Sequence, residues 1–253
     1  MGGAAVFLHA HPDDEAIFTG GTMAALVDAG VEVAVVFATA GERGGEGDRL
    51  GPQRTEEADW AADVLGVSDV RWLGFADSGL ANPPPTDGFA AVPPERAARS
   101  LAAILEELSA SCVVGYDELG IYGHPDHLAV HRVAHAAAAL VGCPTVYEAT
   151  VDREHLHFVE SHLVEEAHRS TGLGLAAVPL GTASVELDVT VDVSTYLGRK
   201  RAAMAAHSSQ VPAGSSALSL ARAGFADVYG LEWYRRHGPR SVIDRLEHAR
   251  SGW

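Results

Sequence analysis

The sequence predicts an α/β fold: a Rossmann-like, doubly wound, mostly parallel sheet with helices on both faces, completed by a C-terminal cap. Three observations carry this expectation. Up to residue 150, short β-branched apolar runs alternate with segments whose apolar residues recur at helical spacing. The run 31–39 (VEVAVVFAT) is almost continuously apolar, as strands buried on both faces of a parallel sheet are. A chain of 253 residues can bury the core that one such domain needs. A single domain is expected, with a core over 1–150 and an extension over 151–253 that caps it.

The elements follow in order. Residues 4–9 form an apolar strand, and 16–29 a helix with Ile17, Met23, Leu26 and Val27 on one side and Gly30 as its C-terminal stop. After the strand at 31–39, Ala58, Ala61, Ala62 and Leu65 mark a helix over 54–65 that ends at Gly66. A strand at 70–73, a helix at 95–109, a strand at 112–116, a helix at 128–140 and a strand at 145–147 complete the alternation. Right-handed crossovers give the strand order 3-2-1-4-5. The glycine-rich stretch 40–53 and the stretch 76–94, which holds five of the twelve prolines, read as long loops of functional weight. Beyond residue 150 the pattern weakens to a helix over 153–169, a strand over 184–191, a helix near 194–207 and a tail bearing Trp and Tyr.

Composition narrows the partners. Eighteen basic against 34 acidic residues leave a net charge of -16, which repels nucleic acid and anionic membrane surfaces and favours a neutral or cationic small molecule. No run approaches the ~20 apolar residues of a spanning helix, so no membrane insertion is expected. Cys112 and Cys143 are too few for a disulfide framework, and the N-terminus lacks the basic start of a secretion signal, so a reducing cytoplasm is expected. A homo-oligomer is compatible with the sequence.

Chemistry is concentrated in two segments: His-Ala-His-Pro-Asp-Asp-Glu at 9–15, after the first strand, and His-Pro-Asp-His at 124–127, after the fourth. In the predicted order those strands are neighbours at the switch point, where open α/β sheets bind ligands. Imidazoles and carboxylates are the donors of a borderline divalent ion, and three such ligands with a spare carboxylate make a hydrolytic site. His11 and Asp14 are three apart across a turn that Pro12 helps to fix, while Asp13 points elsewhere. Either His124 or His127 could be a ligand. Helix capping by Asp13, Asp14 or Asp126 is the competing explanation, but it accounts for neither the imidazoles nor the duplication.

These motifs resemble those of the zinc-dependent N-deacetylases of the PIG-L or LmbE-like family, with AHPDDE at 10–15 matching the first motif and GHPDH at 123–127 the second. The resemblance implies a Zn2+ ion held by His11, Asp14 and His127, with Asp13 as general base and His124 stabilising the oxyanion or protonating the leaving amine. Asp126 is expected to hold a protonated His124. The implied reaction removes an acetyl group from the amine of an N-acetylglucosamine-type conjugate; an alternative keeps the zinc and cleaves an amide in a thiol conjugate or another natural product. Arg54 (with Glu57), Asp77 (with Ser78) and Tyr122 resemble positions lining the sugar pocket or the oxyanion site, against simpler readings as an i,i+3 pair, a turn and a packing residue. His207 to Gln210 (HSSQ) resembles a family tail segment. His131 and His135 continue a helical stripe from His127 that leads away from the site; His131 is read as a core residue or one supporting the ligands from behind, His9 as such a support, and His155, His157, His162 and His168 as an exposed charged helix. A metal-free nucleotide-binding module is disfavoured, because no Gly-x-Gly-x-x-Gly turn follows strand one.

Overall fold

Every residue of β1 (Ala5–His9), β2 (Val33–Thr39) and β4 (Cys112–Tyr116) is buried, as the continuous apolar runs require of strands covered on both faces. A computed structural model describes residues 3–45, 47, 49–80, 83–157 and 180–247. With β3 (Asp69–Phe75), β5 (Val146–Thr150), β6 (Val189–Asp192) and β7 (Leu231–His237), these strands form one seven-stranded sheet in the order β3-β2-β1-β4-β5-β7-β6. The first five are parallel and in the predicted order. Among the described residues, no helix is long and apolar enough to cross a membrane.

Helices α1 (Gly20–Asp28), α2 (Leu50–Leu65) and α5 (Leu197–Ala206) pack on one another, and α3 (Pro94–Glu107) packs on α4 (Pro125–Val141). Gly66 and Gly142 end α2 and α4 in the left-handed conformation, at φ of 80° and 67°. Two helices begin earlier than the periodicity suggests. Helix α2 starts at Leu50 because Pro52 is harmless in a first turn, and α4 starts at Pro125 because His124 caps it, its Nδ1 accepting the Asp126 N–H at 3.1 Å.

The extension does more than cap. Strand β7 pairs antiparallel with β5, and β6 with β7, so two strands of the second half widen the sheet. Residues 184–186 form a 3-10 turn where a strand was expected, and the strand is confined to 189–192. Residues 153–157 are helical, while the rest of the expected helix to 169, with His162 and His168, lies outside the described residues.

A buried ion pair fastens the extension to the core. Lys200 Nζ on α5 donates to Glu232 Oε1 on β7 at 2.6 Å, both side chains being 1% exposed. The same carboxylate accepts the N–H groups of Gly21 and Thr22, each at 2.8 Å, at the positive N-terminal end of α1. Removing one partner strands a buried charge. We therefore expect Glu232→Ala to lower the unfolding free energy by about 3–5 kcal/mol in urea titrations, and a loss below about 1 kcal/mol would show that the pair holds nothing together.

Candidate active site

The two histidine-bearing segments meet where the sheet order reverses. Strand β1 delivers His11 and Asp14, its neighbour β4 delivers the turn that carries His124 and His127, and β3 delivers Asp77. Asp14 Oδ2 lies 3.4 Å from His11 Nδ1 and 3.3 Å from His127 Nε2, and the His11 and His127 ring centroids are 5.6 Å apart. A tetrahedron of ~2.0–2.1 Å bonds has ligand atoms ~3.3 Å apart, so these donors fit one divalent ion. His11, His124 and His127 also offer nitrogens within 4.8 Å of one another. His127 is fully buried and its Nδ1 has no hydrogen-bond partner among the described residues, while its Nε2 faces Asp14 and, at 3.4 Å, the Tyr122 hydroxyl.

The orientation of His11 follows from its neighbours. Its Nε2 meets Asp126 Oδ2 at 3.1 Å and Asp77 Oδ1 at 3.3 Å and donates to them, leaving Nδ1, 3.4 Å from Asp14, as the atom open to a cation; burial would lower the ring's pKa, but hydrogen bonds with Asp126, Asp14 and Asp77 raise it well above the usual histidine range. Asp126, fully buried, also accepts the N–H groups of Ser78 at 2.9 Å and Ala90 at 3.0 Å. This corrects the expected role of Asp126: its carboxylate orients His11, and only its backbone N–H reaches His124. The same bond corrects the charge of His124, because an Nδ1 that accepts a hydrogen bond belongs to a neutral ring with its proton on Nε2. Burial, with His11 and His127 nearby, pushes the His124 pKa down to about 4.

Asp13 stands apart from the donors of His11, Asp14 and His127. Its backbone φ of 109° is rare for a residue with a side chain, and such strain costs on the order of 1–3 kcal/mol. Its N–H donates to Glu15 Oε2 at 2.9 Å, and its Oδ1 lies 3.3 Å from Arg54 Nη2. Burial and the adjacent Asp14 charge push the Asp13 carboxyl up to about 7, against the pull of Arg54 and His207. The chain then continues through a π-helical turn, Glu15–Thr19, into α1. The competing reading as helix caps is not met at either motif: Asp14 caps nothing with its side chain, and α4 is capped by His124.

The turn before His124 is held by a residue the sequence did not single out. Buried Asp117 accepts the N–H groups of Leu119 at 3.0 Å and Ile121 at 2.8 Å through Oδ1. These bonds sustain Gly120 at φ 59° and Ile121 at φ 63°, the second a conformation that β-branched residues avoid. The result sets Tyr122 at the cleft mouth, 42% exposed. A second unannounced pair is Glu15 with His207, whose Nε2 meets Glu15 Oε1 across 192 positions of sequence. Glu15 was visible as the last letter of the first motif and His207 as the first of HSSQ, but nothing local joined them.

A cavity of about 460 Å³ opens over the cluster, lined by His11, Asp13, Asp14, Arg54, Tyr122 and His124 and also by Asp77, Arg43 and Gln210. Arg54 is no surface partner of Glu57: it donates to the carbonyls of Pro12 and Gly41, while Glu57 accepts from Ser208 and Ser209. Asp77 is likewise anchored, accepting the Arg43 N–H at 2.9 Å and the Gly79 N–H at 2.7 Å. Burial would raise its carboxyl, but the hydrogen bond and charge of His11 with those two amides hold it well below the usual carboxylate range.

A family described as PIG-L, GlcNAc-PI de-N-acetylase, matches residues 6–138. The chain is 33% identical to a 1D-myo-inositol 2-acetamido-2-deoxy-alpha-D-glucopyranoside deacetylase of Kribbella flavida, over 96% of this chain and 95% of that one. It is 38% identical to a deacetylase of the same description from Nocardia farcinica, over 87% and 84%. Among solved structures it superposes on N,N'-diacetylchitobiose deacetylase from Pyrococcus horikoshii with a TM-score of 0.62 at 23% identity, covering 93% of this chain and 84% of that one, a likeness of fold.

Because Asp126 fixes the ring that presents His11 Nδ1, Asp126→Asn is expected to weaken divalent-metal binding by ~10–100-fold, read by competition with a chelator. Unchanged affinity would mean that His11 needs no such support.

Proposed function

The chain belongs to the PIG-L (GlcNAc-PI de-N-acetylase) family, and on that premise we propose that it is a zinc-dependent hydrolase removing the acetyl group from the amine of an N-acetylglucosamine-type conjugate. The supporting observation is the division of labour between adjacent carboxylates. Asp14 is shared by two imidazoles at 3.4 and 3.3 Å, whereas Asp13 is turned aside by its left-handed backbone and kept near Arg54. We assign His11, Asp14 and His127 as the zinc ligands. When bound there, zinc would lower the pKa of a coordinated water from 15.7 toward ~7 and polarise the acetyl oxygen.

The chain's own groups supply the rest. Asp13 takes the proton of the attacking water, for which a carboxyl raised to about 7 is better suited than an ordinary aspartate. Neutral His124 directs its Nε2–H into the cleft as the donor that stabilises the developing oxyanion, since its Nδ1 is occupied by the Asp126 N–H. The proton held on Asp13 then passes to the leaving nitrogen, so that amine and acetate depart with charge balanced. Tyr122, beside His127 and at the mouth, adds a hydroxyl as a second donor on that side. Arg54 and Asp77 shape the sugar pocket, Arg54 by holding the turn at Pro12 and Asp77 by joining the 43 and 77 loops to His11.

The substrate class is that of the curated relatives, an N-acetylglucosaminyl inositol. A net charge of -16 favours such a neutral conjugate over a headgroup embedded in an anionic membrane.

Two measurements test this. Asp13→Ala is expected to lower kcat by ~10²–10⁴-fold while the bound zinc is retained, whereas His11→Ala loses zinc and activity together; zinc lost from Asp13→Ala would move that residue into the ligand set. Acetate release from the zinc-loaded protein should be fastest with N-acetylglucosaminyl inositol in a panel that includes free N-acetylglucosamine and N-acetylated thiol conjugates. Preference for a thiol conjugate would replace the substrate assignment and leave the hydrolytic chemistry standing.

A further inference from the structure

One turn along α4 from His127, three histidines gather on a single buried oxygen. Glu148, in the middle of β5 and 2% exposed, presents Oε1 to His135 Nε2 at 2.8 Å, His237 Nε2 at 3.1 Å and His131 Nδ1 at 3.3 Å. His131 and His135 stand at i,i+4 on α4, and His237 ends β7, whose antiparallel register sets it opposite Val146, two residues before Glu148. The ring centroids of His131 and His135 are 4.8 Å apart, and those of His135 and His237 are 4.9 Å apart.

We propose that His131, His135 and Glu148, with His237 rotating in from the Glu148 carboxylate to join them on binding, form a second divalent-cation site, selective for a borderline ion such as zinc or nickel and separate from the catalytic cluster. Three donors crowd one carboxylate oxygen while the other, Oε2, has no hydrogen-bond partner among the described residues and faces Arg235 only at 3.6 Å. The His131 and His237 nitrogens, at 3.3 and 3.1 Å from Oε1, stand near the ~3.3 Å edge of a tetrahedron of ~2.0–2.1 Å bonds, and His135, hydrogen-bonded at 2.8 Å, would draw back by about half an ångström on binding. The ligand atoms of His131, His135 and Glu148 all lie within 4.8 Å of one another.

The site also has an entrance and a floor. The histidine side chains are 25%, 32% and 46% exposed, and the carboxylate lies beneath them. Burial would raise the Glu148 carboxyl, but the hydrogen bonds of His131 and His135 and the nearby His237 hold it well below the usual range, so it is anionic and ready to ligate. His131 Nδ1 also faces the Tyr116 carbonyl at 3.1 Å; on binding it would release its proton to solvent and give up that contact. An ion there would clamp α4, β5 and β7 together and so fix the extension to the core.

Zinc binding to the metal-stripped full chain, measured by elemental mass spectrometry after dialysis, is the test. Two ions per chain are expected for the wild type. One is expected for His135→Ala/His237→Ala, with deacetylation retained, and one for His11→Ala/His127→Ala, without it. Zinc should raise the Tm of His11→Ala/His127→Ala, and Glu148→Gln added to that chain should abolish the rise. A wild type saturating at one ion, or a His135→Ala/His237→Ala chain still binding two, overturns the proposal. The milder His237→Ala, at the most exposed ligand, repeats the measurement with little risk to folding: an affinity for the second ion equal to wild type would equally overturn it.

Discussion

Parallel pairing of β1 with β4 is the constraint on which the rest depends. The register Ala5↔Cys112, Val6↔Val113, Phe7↔Val114 sets the carboxyl ends of two strands side by side although more than a hundred residues separate them. Each strand then runs into a tight turn, one carrying His11 to Asp14 and the other His124 to His127. Shift the pairing by one residue and the turns that follow the two strands would slide past each other by ~3.3 Å, so the register of β1 with β4 sets the spacing of the histidine-bearing segments.

Gathering carboxylates in a buried place is costly, and the protein offsets that cost with donors rather than with distance. Asp126 is satisfied by His11 and two backbone amides, Glu232 by Lys200 and two amides, and Asp117 by two amides of the turn it organises. The strain follows the same logic. Left-handed backbone at Asp13 and Ile121 is unfavourable alone, and it persists because Glu15 and Asp117 hold the amides concerned. Asp13 is thereby kept away from His11, Asp14 and His127, and two adjacent aspartates acquire different surroundings.

The second half of the chain supports the first at three points: β7 beside β5, Glu232 at the start of α1, and His207 behind Glu15. Glu15 in turn accepts the N–H of Asp13, so the extension reaches the proposed base through one intermediary. The cluster around Glu148 lies on the same seam, between α4 of the core and β7 of the extension.

The five parallel strands were legible because fully buried strands must be apolar throughout and their crossover helices must repeat at helical spacing. The donor inventory was legible because only certain side chains bind divalent ions or move protons, and here they stand in two short motifs. Strand β7, reading LEWYRRH, was not legible: its Glu and Arg residues find buried or antiparallel partners that no local pattern announces. The partnership of Asp126 with His11 in place of His124, the pairing of Glu15 with His207, and the convergence of His131, His135 and His237 on Glu148 were decided by tertiary structure. Residue type determines what a side chain can do chemically, which is why the sequence alone pointed to a hydrolytic metal site. Which neighbour a side chain reaches depends on a few ångströms of strand register and helix rotation, and these exist only once the chain has folded.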